Sequence, residues 1–562
     1  MKSLQKMTKY KKKNLILEDY EEKFSYNDAK NQISISFNRV AFVFFIFVTL
    51  TIIFSIKSGH FGFKNASVKQ LNIKKKDYRA TITDRNGNIL AKTINIINAG
   101  INPNLVIDKK KIILNLKLIF PKKNFKTIEK KIYGKKFFYI EKQISQEKLE
   151  KLILLGDKSI ITEEKISRVY PHGDLFSHIL GQIDDDNNGI SGIEKYFDHE
   201  LRSEKNPIRL SVDTDLQYLI RKELIKAKEI FQNVGSAAIL MNVNTGEILS
   251  MISLPDFDLN KREKIDDIKY INRATKGVYE LGSVFKTFTY AAGLHEKVIQ
   301  PETEFKDLKK KIRCGKNTIG EYDNKIPKDL TAEQILIRSG NIGSVRIGQK
   351  VGVKKLKSFL ENIGVLKKIN FDIQEVGSPI EFKWGKCKLA TASFGHGITT
   401  TPLQLAKGYS IISNGGFYID PTLIKNNSNK STKKKRILKK ELSQKVNTAL
   451  RKIVSSEEGT AEQANVPGYE VGGKTGTAQK LYQGVYSKAK INTFVAIFPT
   501  SKPKFVLVTL LDEPKISKEY VYNYRNKKGS YKGTPFNTAG WTTVEIAGKI
   551  IEKIGPILAT KY

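Results

Sequence analysis

Val40 to Ile56 reads VAFVFFIFVTLTIIFSI, a run without a single charge. At 1.5 Å rise per residue, a helix of that length spans about 25 Å, the short end of what crosses a bilayer. Arg39 and Lys57 close the run and can snorkel to the headgroups. A cleaved signal peptide would need a shorter leader and a small-residue cleavage site. Neither is present, so 40–56 is read as an uncleaved transmembrane anchor and 1–39 as a polar tail. Local charge does not decide which side the tail takes. Lys30 and Arg39 precede the run closely, while Lys57, Lys64 and Lys69 follow it, and large domains translocate largely regardless of such differences.

The rest of the chain is basic: 97 Lys plus Arg against 57 Asp plus Glu, so 97 − 57 = +40. The lysines lie in short scattered runs, such as Lys11–Lys13 and Lys109–Lys111, with no basic stripe interleaved by aromatics. That argues against a nucleic-acid partner. Cys314 and Cys387 are the only cysteines. They could pair, but two cysteines make neither a disulfide framework nor a metal site.

Hydrophobic periodicity outlines the remainder. "RATITDRNGNILAKT" (79–93) is strand-like on either side of an Asn86-Gly87 turn. Asp215 to about Phe231 is an amphipathic helix with Leu216, Leu219, Ile220, Leu224, Ile225 and Ala227 on one side. "GSAAILMNV-NTG-EILSMIS" (235–253) and "NTFVAIFP" (492–499) followed by "KFVLVTLLDEP" (504–514) are two hairpins. "TPLQLAKGYSIISNGG" (401–416) is a helix with start and stop signals, and 425–440 is a solvated insertion. A last helix, "TTVEIAGKIIEKI", is expected to end at Gly555-Pro556. Strands at both ends with helices between them predict an antiparallel sheet layered with helices.

The chemistry gathers in this part. "YELGSVFKT" (279–287) puts Ser283 one turn before Lys286, where an apolar run begins. Ser-x-x-Lys alone says little here, since it recurs at Ser3, Ser145, Ser431, Ser487 and Ser501. Ser283 differs because Gly282 permits a sharp turn and a helix pattern starts at once. Residues i and i+3 share a helix face, so the Lys286 amine is expected to reach the Ser283 hydroxyl as the base of a serine–lysine pair. Lys286 must be neutral for this. Bringing it from about 10.4 to about 7–8 costs roughly 3–4 kcal/mol, which burial, the helix dipole and a second lysine can supply. Lys474, in the one Lys-Thr-Gly of the chain, is that second lysine. Lys474, Thr475 and Thr477 are expected on a sheet edge, able to hold a substrate carboxylate, with Gly476 leaving room for substrate. Between the two motifs, Ser339-Gly340-Asn341 reads as a loop before a helix. Ser339 would relay a proton and Asn341 would hold a substrate amide.

Ser-x-x-Lys, Ser-Gly-Asn and Lys-Thr-Gly in this order resemble the set that marks penicillin-binding proteins and class A β-lactamases. "SRVYPHGDLFSHILGQI" and "GISGIEKYFDHEL" also resemble that family's N-terminal module, and "ASFGHGITTTPLQLA" its transpeptidase domain. The resemblance, to the monofunctional class B members, runs from about Arg79 to the C-terminus. It implies a multi-domain α+β chain: a transmembrane helix, an elongated β-rich pedestal of the dimerisation type (57–205) and a penicillin-binding transpeptidase domain (206–562). It implies a peptidoglycan D,D-transpeptidase in which Ser283 attacks the D-Ala-D-Ala carbonyl of a stem peptide. Ser283 and Thr477 backbone N–H groups would form the oxyanion hole. It implies no cofactor and no metal, and it makes β-lactams ligands. His396 has no role in the motif set and is taken as a structural residue near the site.

A β-lactamase or β-lactam sensor shares the motifs but needs no such N-terminal module. A D,D-carboxypeptidase and an elongation-type transpeptidase stay open, while a basic membrane scaffold with dead motifs is disfavoured because every motif residue is present. Residues 58–205 carry no glycosyltransferase signature, so a partner, a polytopic membrane glycosyltransferase, must polymerise the glycan. Glu280-Leu281-Gly282 stands where elongation types carry Pro-Pro-Gly. The resemblance therefore favours the division type, with the catalytic domain outside the inner membrane and other divisome proteins as partners.

Overall fold

The computed structural model describes residues 24–28, 31–35, 37–66, 78–203, 206–261, 268–315, 317–426, 435–482 and 485–562. It falls into two compact units, Met1–Lys76 and Asp77–Tyr562. In the first, strands Phe24–Asp28 and Asn31–Ile35 pair antiparallel and a helix runs Phe37–Ala66. Its apolar stretch, Val40–Gly59, has a mean hydropathy of 2.5 and lies entirely exposed. The helix thus extends the expected 40–56 span at both ends. Much of the expected tail lies outside the described residues.

The second unit begins with the pedestal. Strand Ile89–Ile101 is its spine and pairs antiparallel with Ile160–Val169 along most of its length. At the far end it also meets Phe138–Glu141. Around that end, helices Lys109–Ile119, Phe125–Ile132 and Gln146–Ile153 close a small separate core of Ile101, Ile112, Leu116, Ile132 and Leu152. The pedestal's outer part is therefore strands plus three helices, where a β-rich module is expected. The helices form because Asp108 caps the first of them and the apolar residues recur at helical spacing.

At the pedestal base, Arg79 and Arg168 each donate through Nε to the Glu194 carboxylate, at 2.9 and 2.8 Å, and all three side chains are buried. Two cations on one carboxylate are tolerated there because both oxygens are hydrogen-bonded. The apolar residues beside them, Ala80, Ile82 and Leu90, belong to the same core as the catalytic region.

That region is built on five antiparallel strands in the order Gly472–Tyr482, Val485–Phe498, Phe505–Asp512, Gly235–Asn242, Ile248–Leu254. Every residue of Phe505–Asp512 and Ile248–Leu254 is buried, so both faces of the sheet are covered. Helices Thr214–Phe231 and Thr543–Lys561 form one layer; Pro402–Ser413, Lys440–Ser455 and Lys286–His295 form the other. Asp213 caps the first helix through Asp215 and Leu216 N–H, and Leu216, Ile220, Leu224 and Ala227 bury its stripe. Thr401 and Gln404 make a capping box on Pro402–Ser413.

One stop signal fails. The last helix passes through Gly555-Pro556 and continues to Lys561. Proline forfeits one N–H bond, but Leu558 is buried in line with Ile551 and Ile554, and Tyr562 N–H closes on Leu558 O at 3.1 Å. Tertiary burial outweighs the local break. Of the expected 425–440 insertion, 427–434 lie outside the described residues; Lys440 already opens a helix. Cys314 and Cys387 are bonded, with Cα atoms 5.5 Å apart. The bond ties hairpin Lys311–Cys314/Asn317–Gly320 to helix Lys386–Ala392.

Candidate active site

Gly282 has φ +62°, and a Cβ there would lie 2.9 Å from Thr477 O. Only glycine adopts that conformation cheaply while touching another backbone. The turn it allows is a 3-10 segment, Gly282–Phe285, running straight into helix Lys286–His295. Val284 and Phe285 are buried beneath it, while Ser283 is half-buried and reachable. Across from it, the edge strand Gly472–Tyr482 packs against the turn. The glycine of Lys-Thr-Gly explains how. A Cβ on Gly476 would sit 2.2 Å from Leu281 O. Gly476 thereby makes room for the nucleophile's own turn.

Lys286 is fully buried, and its Nζ donates to Ser339 O, to Ser339 Oγ at 3.2 Å and to Asn341 Oδ1 at 2.7 Å. Ser283 Oγ is not among its partners, contrary to expectation. A buried ammonium takes the strongest acceptors within reach, here a carbonyl and an amide oxygen. Once neutral, the amine has only two N–H groups to satisfy and a lone pair to offer. Burial pushes Lys286 down to about 7, with Glu321 pulling back.

Lys474 is also fully buried, donating to Ser339 Oγ at 2.8 Å and to Thr475 O at 3.1 Å. Burial, and then the charge of Lys286, holds it well below the usual ammonium range. Two buried ammoniums this close disfavour each other's charge, and Glu321 favours that of Lys286.

The Ser339 hydroxyl lies between the two amines. Its backbone has φ +58°, which a serine adopts at a cost of about 1 kcal/mol or more. It closes helix Ala332–Ile337, with Gly340 N–H on Ile335 O at 2.9 Å. Asn341 opens helix Asn341–Val351. Its Oδ1 serves Lys286 and its Nδ2 donates to Gly320 O at 2.8 Å. The side chain expected to hold a substrate amide is thus already engaged at both ends, with one amide hydrogen left over. Thr475 Oγ1 meets Thr460 Oγ1 at 2.8 Å, and Thr477 Oγ1 accepts from Ala539 N–H at 2.9 Å.

Other charged and aromatic side chains surround the motif residues. Glu280, three residues before Ser283, accepts from Gly397 N–H at 3.0 Å and from Tyr486 OH at 3.0 Å. His396 stacks on Tyr486 with ring centroids 4.8 Å apart. Glu321 caps helix Asn341–Val351 through the N–H groups of Asn341 and Ile342. A charge so close to the nucleophile could have drawn notice to Glu280; nothing in "IGEYDN" marks Glu321.

Known proteins resemble this sequence over most of its length. Residues 236–537 match the penicillin-binding protein transpeptidase domain and residues 74–229 the penicillin-binding protein dimerisation domain. The "Probable peptidoglycan D,D-transpeptidase FtsI" of Caulobacter vibrioides is 32% identical over 496 residues, covering 86% of this chain and 82% of that protein. The chain belongs to the class B penicillin-binding proteins. Other relatives of this penicillin-binding protein are the Stage V sporulation protein D of Bacillus subtilis, 31% identical over 78% of this chain and 74% of that one, and the Peptidoglycan D,D-transpeptidase FtsI of Buchnera aphidicola subsp. Schizaphis graminum, 29% identical over 86% and 90%.

Proposed function

We propose that this class B penicillin-binding protein is a septal peptidoglycan D,D-transpeptidase working through an acyl-enzyme on Ser283. The observation that carries this reading is the pair of buried lysines sharing the Ser339 hydroxyl behind a reachable serine. Neutral Lys286 takes the Ser283 proton as Oγ attacks the penultimate D-Ala carbonyl. The oxyanion rests on the N–H groups of Ser283 and Thr477, donors of a kind worth about 3–4 kcal/mol. The proton passes from Lys286 through Ser339 to the departing D-Ala amine. An amine of a neighbouring strand then attacks the acyl-enzyme and releases Ser283. Lys474 gains its charge as it receives the substrate carboxylate, whose negative charge favours the ammonium. A β-lactam amide enters the same path and stays attached.

Relatives named FtsI and the Glu280-Leu281-Gly282 sequence support the septal role. A disulfide suits an oxidising compartment, which supports placing residues 58–562 outside the cytoplasm and 1–39 inside. A polytopic glycosyltransferase then supplies the glycan, contacting the anchor helix and the pedestal. Labelled penicillin followed by peptide mapping tests the chemistry. The adduct is expected on Ser283 and should vanish in Ser283→Ala; an adduct elsewhere overturns the assignment.

A further inference from the structure

The hairpin Lys311–Cys314/Asn317–Gly320 ends beside the site without contributing to any of the three motifs. Its last residue, Gly320, accepts from Asn341 Nδ2 at 2.8 Å. The next residue, Glu321, turns both carboxylate oxygens onto the start of helix Asn341–Val351: Oε2 accepts from Asn341 N–H at 2.6 Å and Oε1 from Ile342 N–H at 2.8 Å. Backbone and side chain of Asn341 are gripped at once. The one strong acceptor Asn341 has left, Oδ1, meets Lys286 Nζ at 2.7 Å.

We propose that Glu321 is a positioning residue for the Lys286 base, fixing the Asn341 amide that receives the amine and setting a negative charge behind it. The inference rests on the transpeptidase reading of the same site. Glu321 would do two separable things. Its hydrogen bonds aim Lys286, so that the amine has one defined place from which to turn to Ser283. Its charge limits how far burial can depress Lys286: without it the amine would lose its proton more readily but become a weaker base toward Ser283. The charged groups facing Lys286 are Glu321, behind Asn341, and Lys474, across the Ser339 hydroxyl. Burial and Glu321 act on Lys286 in opposite senses. A carboxylate that only capped a helix would serve the first role without the second.

The two are separated by the pH profile of acylation. The full-length chain in detergent micelles is mixed with a fluorescent penicillin between about pH 5 and 9, and the acylation rate is measured. For the wild type the rate should rise through about 7. In Glu321→Gln the plateau should fall at least about tenfold, as hydrogen bonds to a charged group are worth that much. The acid limb should also move to lower pH. A lowered plateau with the limb unmoved overturns the proposal and leaves only a helix cap; an unchanged profile overturns it too. If Glu321→Gln does not melt cooperatively, Glu321→Asp carries the test. It keeps the charge but withdraws it, so the limb should move the same way by less; a limb that stays put overturns the proposal. A wild type that takes no label sinks the transpeptidase reading and this inference together, whereas a labelled wild type with unmoved limbs in the variants sinks this inference alone.

Discussion

Lys286 and Lys474 are two cations hidden from water around one hydroxyl, an arrangement that is unstable unless protons leave it. That instability is what makes a base available near neutral pH. Acylation should depend on the neutral form of Lys286, so its rate is low in acid and climbs as pH rises through about 7. Lys286→Arg keeps a cation that cannot deprotonate, so acylation should fall about 10²- to 10⁴-fold. The stopped-flow rate of penicillin acylation checks both; near-normal acylation by the arginine variant would reduce Lys286 to a structural partner. At this scale the motif residues were legible because chemistry demands their types at fixed spacing. Glu321 was not. Its partners, Asn341 and Ile342, lie a loop and a helix away, and their backbone N–H groups leave no trace in side-chain identity. Ser339 was legible as a hydroxyl but not as a residue in left-handed backbone, since nothing local demands φ +58° of a serine.

Among elements, the edge strand and the nucleophile's turn meet through glycines. Gly476→Ala would drive a Cβ into Leu281 O, which is backbone and cannot swing aside. The strand should shift outward, with stability falling by about 1–3 kcal/mol and penicillin labelling slowed further than the melting temperature alone would explain. Labelling at the wild-type rate would mean that the contact does not set the site. The hairpins and the amphipathic helix after Asp213 were readable from period and turn residues, because there local preference and packing agree. They disagree at Pro556. A stop signal prices only the helix's own bonds, whereas Leu558 earns its place from side chains distant in sequence. The pedestal's helices were likewise not picked out by period: its head closes three of them over a core of its own.

For the whole molecule, one unit carries the helix with the 20-residue hydrophobic stretch Val40–Gly59, and the other holds both pedestal base and catalytic sheet. If the catalytic region lies outside the cytoplasm, protease added to spheroplasts should digest it; full protection would refute that orientation. If the role is septal, depletion should leave cells that lengthen without dividing, whereas swollen, rounded cells that still divide would assign the protein to elongation. The disulfide bears on how such a molecule comes of age. It closes a loop with a sequence separation of 73, and a loop of that size is worth roughly 4 kcal/mol in chain entropy. Severing it with dithiothreitol, or as Cys314→Ser, should lower the melting temperature and slow penicillin acylation together; unchanged acylation in a destabilised chain would separate the two. The hairpin it fastens is the one that grips Asn341. If acylation falls with the bond, a newly made chain in reducing surroundings would carry every motif residue before its base is fastened, and competence would mature where cysteines oxidise. The bond would then act as a customs stamp, the enzyme being finished by the journey to its place of work.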